Sequence, residues 1–159
     1  MRGRLVIGGL MLTAAAVWTV GSCKDDVGLT SVPPPPERFV AFLSGANEPT
    51  PITTAAQGLA TLTIDGNLVS YRVELSNIDS AFLAHVHHGV AGLNGPVRVN
   101  LYIGPKPPFG LDFSGLMVED TITVPDSVLA FIRGGETYVN VHTKVNAGGE
   151  IRGQLFRFQ

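Results

Sequence analysis

A chain of 159 residues, 45% of them hydrophobic, is too apolar to be disordered throughout and has room for one domain with short appendages. Its formal charge is −2; without the first 22 residues, which hold Arg2 and Arg4, nine basic residues face thirteen acidic ones, about −4. No basic stripe remains to neutralise a run of phosphates, so nucleic acid is not an expected partner.

The chain opens on Met1-Arg2-Gly3-Arg4, followed by an apolar stretch from Leu5 to Val20 and by Gly21-Ser22-Cys23. A positive start, an apolar run and small residues before a cut describe a secretory signal peptide over residues 1–22. The run is about 16 residues, short of the roughly 20 that span a bilayer comfortably. Val20-Gly21-Ser22-Cys23 resembles the bacterial lipobox, which implies that Cys23 is acylated and becomes the new N-terminus. Cys23 is the one cysteine of the chain, so no internal disulfide is available. The expected place of the protein is the cell envelope, its domain outside the cytoplasm and its membrane contact the lipid on Cys23.

Residues 23–37 read as the lipid-anchored linker. Pro33-Pro34-Pro35-Pro36 suits neither a helix interior nor a sheet interior and favours extended polyproline II, at about 3.1 Å per residue. Such a segment is a spacer.

From residue 38 to 159 the hydrophobic period is two, the mark of strands with one buried face. Phe39–Leu43 opens the series and Leu59–Ile64 follows. Leu68–Leu75 places Val69, Tyr71, Val73 and Leu75 on one face and Ser70, Arg72 and Glu74 on the other. Asp65-Gly66-Asn67 between these runs predicts a hairpin, since Gly and Asn tolerate positive φ. Further strands are expected at 81–87, 97–103, 117–124, 137–143 and 150–158, with turns at Asn94-Gly95-Pro96 and Ala147-Gly148-Gly149. Pro125–Ile132 suits one short helical turn stopped by Gly134-Gly135. About eight short strands, each with one buried face, need two facing layers, so the expected fold is an all-β antiparallel β-sandwich.

Histidines are the one chemical signal. His85, His87 and His88 fall within four positions, and His142 lies on a later strand. On a strand, residues two apart share a side at about 6.5–7 Å, so His85 and His87 can converge on an ion with metal–nitrogen bonds near about 2.0–2.1 Å. His142 joins them if its strand pairs alongside. Three neutral imidazoles suit copper or zinc. The other reading of the same residues is a structural hydrogen-bond cluster supporting the turn at Gly89. His88 faces the opposite side and is expected at the surface. Arg152, between Glu150 and Gln154, is either an edge or ion-pair residue or an anion guide for a nearby metal. No phosphate loop, nucleophile elbow or paired carboxylate appears, and no catalytic residue is assigned.

Five segments in order carry a family resemblance: Leu43-Ser44-Gly45-Ala46-Asn47-Glu48-Pro49, Ala84-His85-Val86-His87-His88-Gly89, Asn94-Gly95-Pro96-Val97, Tyr138-Val139-Asn140-Val141-His142-Thr143 and Gly148-Gly149-Glu150-Ile151-Arg152-Gly153-Gln154. Together they resemble the CHRD domain, named for chordin, from about Phe39 to Phe158. One departure is Pro49-Thr50-Pro51, where Val-Pro-Pro is usual. The resemblance implies a compact β domain found in exported bacterial proteins and repeated in chordin, without a secure biochemical role. Its His-x-His and Val-His-Thr segments look like the ligand pattern of copper/zinc superoxide dismutases, which are β-sandwiches of the Greek-key type. Three functions follow as expectations: a binding module holding copper or zinc, a superoxide dismutase-like copper enzyme, or a metal-free structural or protein-interaction domain.

Overall fold

The computed structural model describes residues 32–104 and 112–158. The expected signal peptide, Cys23 and the linker up to residue 31 lie outside the described residues. The chain divides into two units, Met1–Pro33 and Pro34–Gln159, and the second carries every strand named below.

Among the described residues nine strands and one α-helix follow in order, with a short 3-10 turn at Gly45–Asn47 after the first strand: β1 Glu37–Ser44, β2 Gln57–Asp65, β3 Leu68–Asp79, β4 Ala81–His88, β5 Val97–Ile103, β6 Asp112–Thr123, α1 Asp126–Arg133, β7 Thr137–Thr143, β8 Ile151–Gln154 and β9 Phe156–Arg157. The fold is all-β and antiparallel, as the period of two predicts. Its two layers are joined more intimately than separate sheets. Hydrogen bonding runs through one nine-stranded sheet in the order β5-β4-β7-β8-β1-β2-β3-β6, with β9 beside β1.

The join is narrow. Between β8 and β1 one register pair, Ser44 with Arg152, links the halves. The C-terminal segment expected as one strand bends at Leu155, so that β8 pairs with β7 and β9 pairs with β1. Strands that switch layers in this way make the corners of a sandwich. A second corner is Ser80, buried at φ +53°, where β3 ends at Asp79 and β4 begins at Ala81. Across the fold, the Tyr71 hydroxyl of β3 donates to the Leu101 carbonyl of β5 at 2.9 Å, tying strands from the two halves.

The core lies between the halves. On β3, Val69, Tyr71, Val73 and Leu75 are buried, while Ser70 is exposed and Arg72 and Glu74 are half-buried. They pack with Phe39, Leu62, Ala84, Val86, Val139, Val141 and Ile151. In the β2–β3 hairpin Gly66 takes φ +60° and Asn67 stays negative, the pattern of a type II′ turn. α1 brings Val128, Leu129 and Ile132 onto the core, starts at Pro125 and is stopped by Gly134, with Gly135 at φ +72°.

One strand breaks the half-buried rule. All seven residues of β7 are buried, so its outer face is covered as well as its inner one. On that outer face stand Tyr138, Asn140 and His142, and the site is built there.

Candidate metal centre

Alternation dictates which side chains meet. Ala84 and Val86 enter the core from β4, so His85 and His87 leave from the other side. The β4–β7 register sets Leu83 opposite His142, His85 opposite Asn140 and His87 opposite Tyr138. His85 and His142 are therefore diagonal neighbours, close enough for imidazoles to touch. Their Nδ1 and Nε2 atoms, respectively, are 3.1 Å apart. The His85 ring lies 5.6 Å from that of His87 and 4.9 Å from that of His142, and His87 and His142 are 5.9 Å apart, centroid to centroid. One nitrogen from each of the three rings lies within 4.8 Å of the other two.

Backbone carbonyls fix two tautomers. His87 Nδ1 is 2.9 Å from the Gly95 carbonyl, and His142 Nδ1 is 3.0 Å from the Ala147 carbonyl. A carbonyl only accepts, so each Nδ1 bears the proton and each neutral ring keeps its lone pair on Nε2. The His142 lone pair faces His85. That of His87 is buried and has no hydrogen-bond partner. An outer nitrogen held by a carbonyl is the usual support of a metal-binding imidazole.

Electrostatics keep the three rings neutral. Burial drives His85 down from 6.5 to about 4, with help from His142 and His87. Burial also lowers His87, opposed by the Gly95 carbonyl and reinforced by Arg152. It lowers His142 against the Ala147 carbonyl, with His87 adding to the fall. Neutral imidazole is the metal-binding form.

Three loops build the surroundings. Gly95, in the loop between β4 and β5, donates its N–H to the Tyr138 hydroxyl at 3.1 Å while its carbonyl holds His87. A Cβ on Gly95 would overlap the His88 carbonyl, so the loop closes this tightly through glycine alone. Tyr138 stacks on His87 at 4.9 Å and 7°. Behind it, the Arg152 guanidinium sits 3.4 Å over the Tyr138 ring and donates to the Leu93 carbonyl at 3.2 Å. From the loop after β1, Asn47 donates to the Arg152 carbonyl at 2.9 Å, and buried Glu48 accepts from Asn140 at 2.8 Å. Burial raises the Glu48 carboxyl above its ordinary value, against the Asn140 bond and Arg152. In the loop after β7, Glu150 accepts from Thr54 at 2.7 Å, Thr143 at 2.6 Å and Asn146 at 3.2 Å, which shapes the turn that presents Ala147.

The structure thus brings together His85, His87 and His142 and sets His88 apart. His88 stacks on Phe131 of α1 at 3.8 Å and lies 3.3 Å from Glu136; its side chain is 29% exposed. Arg152 is 1% exposed. It is not a solvated edge residue: its guanidinium is engaged by Tyr138 and Leu93 and acts through space on the Glu48 carboxyl. Sequence reasoning passed over Tyr138, Asn140 and Glu48. The first two share the period-two face of His142, and that spacing was the available signal.

An ion at about 2.0–2.1 Å from each nitrogen in tetrahedral geometry sets the nitrogens about 3.4 Å apart. One pair already meets this spacing, and the third ring needs a shift of about an ångström. Among the described residues no cysteine or carboxylate joins the three histidines. The residues present fit a transition metal held by nitrogen alone. No curated protein matches the chain, and no solved structure does. The family model of the CHRD domain matches residues 39–155, a span holding all three histidines and every loop that supports them, and the chain belongs to the CHRD domain family.

Proposed function

We propose that this protein is a metal-binding module of the cell envelope, tethered by a lipid on Cys23 and holding copper or zinc on His85, His87 and His142. Two facts together carry the reading: the Nε2 of His87 is buried without a hydrogen-bond partner, and one nitrogen from each of His85, His87 and His142 lies within 4.8 Å of the other two. When bound, the ion supplies a Lewis-acidic or redox-active centre. The chain's own part is to keep three rings neutral, fix two tautomers through Gly95 and Ala147, and hold the cluster away from bulk solvent. The tether rests on the Arg-flanked apolar stretch ending in Gly21-Ser22-Cys23.

The test uses the full-length protein with Cys23→Ser, in detergent, so that no thiol competes for metal. Titration with Cu(II) or Zn(II) is expected to give one ion per chain, and His87→Ala to abolish it. Equal stoichiometry in the two proteins would remove the reading. The tether is tested separately by incorporation of a labelled fatty acid, expected for the native sequence and lost with Cys23→Ser; no incorporation by the native sequence refutes it.

A further inference from the structure

We propose that the three-histidine centre favours copper in its monovalent state, Cu(I), and that Arg152 is the residue that sets this preference. The inference rests on the metal-binding reading and adds the charge of the ion. Two independent features of the site lead to it.

The first is charge. All three donors are imidazoles, and no carboxylate joins them among the described residues. A divalent ion would therefore keep its full charge among neutral ligands. Neither nearby carboxyl reaches the three donors: Glu48 bonds Asn140 and lies within the electrostatic reach of Arg152, and Glu150 bonds Thr54, Thr143 and Asn146. The fixed charge stacked on the cluster is positive. Arg152 lies over one face of Tyr138, whose ring also stacks on His87. The guanidinium is 1% exposed, so water screens it little, and it never deprotonates. It repels a divalent ion twice as strongly as a monovalent one. Taken alone, at roughly 8 Å and an effective dielectric constant of about 20, the Arg152 charge gives a bias of about tenfold or more towards the lower ionic charge, and it is this contribution that the substitution below removes.

The second is ligand count. Zinc in structural sites takes four ligands, whereas Cu(I), a d¹⁰ ion of low charge, is satisfied by two or three. The chain provides three. His85 and His142 are each 8% exposed, and the His87 Nε2 is covered, so the surroundings suit an ion that asks for no fourth donor.

The experiment is a potentiometric titration, with redox mediators, of copper bound to the full-length Cys23→Ser protein in detergent, followed by the Cu(II) paramagnetic signal. The midpoint is expected well above that of copper in imidazole buffer of the same pH. Arg152→Gln is expected to lower it by about 59 mV or more, the one-electron equivalent of a tenfold change. Arg152→Lys, which keeps the charge, is expected to retain most of the native value. A native midpoint at or below that of the buffer complex overturns the proposal. So does an Arg152→Gln midpoint equal to or above the native one. If Arg152→Gln fails to fold, Arg152→Met, which keeps the stem and drops the charge, is titrated in its place with the same expected fall and the same refuting result. Failure of both copper and zinc to bind would instead sink the metal reading itself.

Discussion

Burial of His85 carries a specific cost in acid. In the metal-free protein its pKa is driven from 6.5 to about 4, first by burial and then by its two neighbours. Below pH 6.5 the unfolded chain takes up a proton at this position, while the folded chain resists until about pH 4. The unfolded state thus binds more protons in that window, and stability falls as pH falls through it. A shift of this size corresponds to about 3 kcal/mol at about 1.36 kcal/mol per unit. Solvent at the rim of the cluster screens part of it, so about 2 kcal/mol is the expected loss. His85→Gln removes the titrating ring and keeps a side chain able to donate to His142. Urea denaturation of the chelator-treated native and His85→Gln proteins between pH 7.5 and 4 measures the difference. The native curve should fall more steeply by about 2 kcal/mol, nearly all of it between pH 6.5 and 4. Glu48, whose carboxyl is raised by burial, contributes with the opposite sign, but it is common to both proteins and cancels. Parallel curves would show that His85 is not held neutral by its surroundings, and the electrostatic account of the centre would fail.

Two further substitutions separate the fold from the site. Gly95→Ala drives a Cβ into the His88 carbonyl and displaces the loop that holds His87; it should cost about 2 kcal/mol or more in urea denaturation and weaken metal binding about tenfold or more in a chelator competition. Tyr71→Phe deletes the hydroxyl that reaches the Leu101 carbonyl. It should cost about 1–2 kcal/mol by thermal denaturation with metal stoichiometry unchanged, because the bond lies on the inner side of the sheet.

Much of the strand order was legible because alternation is a local property. β5 and β7 begin and end where their apolar runs do, and Gly66 marks the hairpin between β2 and β3. The limits missed have tertiary causes. Ser76-Asn77-Ile78-Asp79 reads as polar loop, yet β3 continues through it with an irregularity in its pairing to β6 and Asn77 at φ +52°. The last strand breaks at Leu155, whose N–H bonds the Thr137 carbonyl; the apolar phase slips there from Ile151 and Leu155 to Phe156 and Phe158, but only long-range pairing decides that β8 joins β7 and β9 joins β1. The same division holds for the site. His85 and His87 share a face by their spacing alone, but His142 joins them through the β4–β7 register. Arg152 looked like an edge residue because its position alternates with buried Ile151 and Gly153. That side of β8 is covered by the loop carrying Leu93 and Asn94, a fact of long-range packing.

A purely structural cluster explains part of this arrangement and leaves one imidazole nitrogen unexplained. With His142 donating to Ala147, its Nε2 can accept a single proton, and His85 Nδ1 lies in place to supply it. Those two rings satisfy each other. His87 is different. Its Nδ1 proton is used by Gly95, so its Nε2 can only accept, and no donor reaches it. Leaving a buried acceptor unmade costs about 1–3 kcal/mol, and an apolar ring in its place would stack on Tyr138 without that cost. The surrounding effort points the same way: a glycine without room for a Cβ, a tyrosine clamped by an arginine and a carbonyl-fixed tautomer all serve to hold that lone pair at a defined spot. Stabilisation by a cluster of mutual hydrogen bonds has no use for it. An ion does, since it accepts the lone pair of His87 together with that of His142 and turns an electrostatic liability into a third bond.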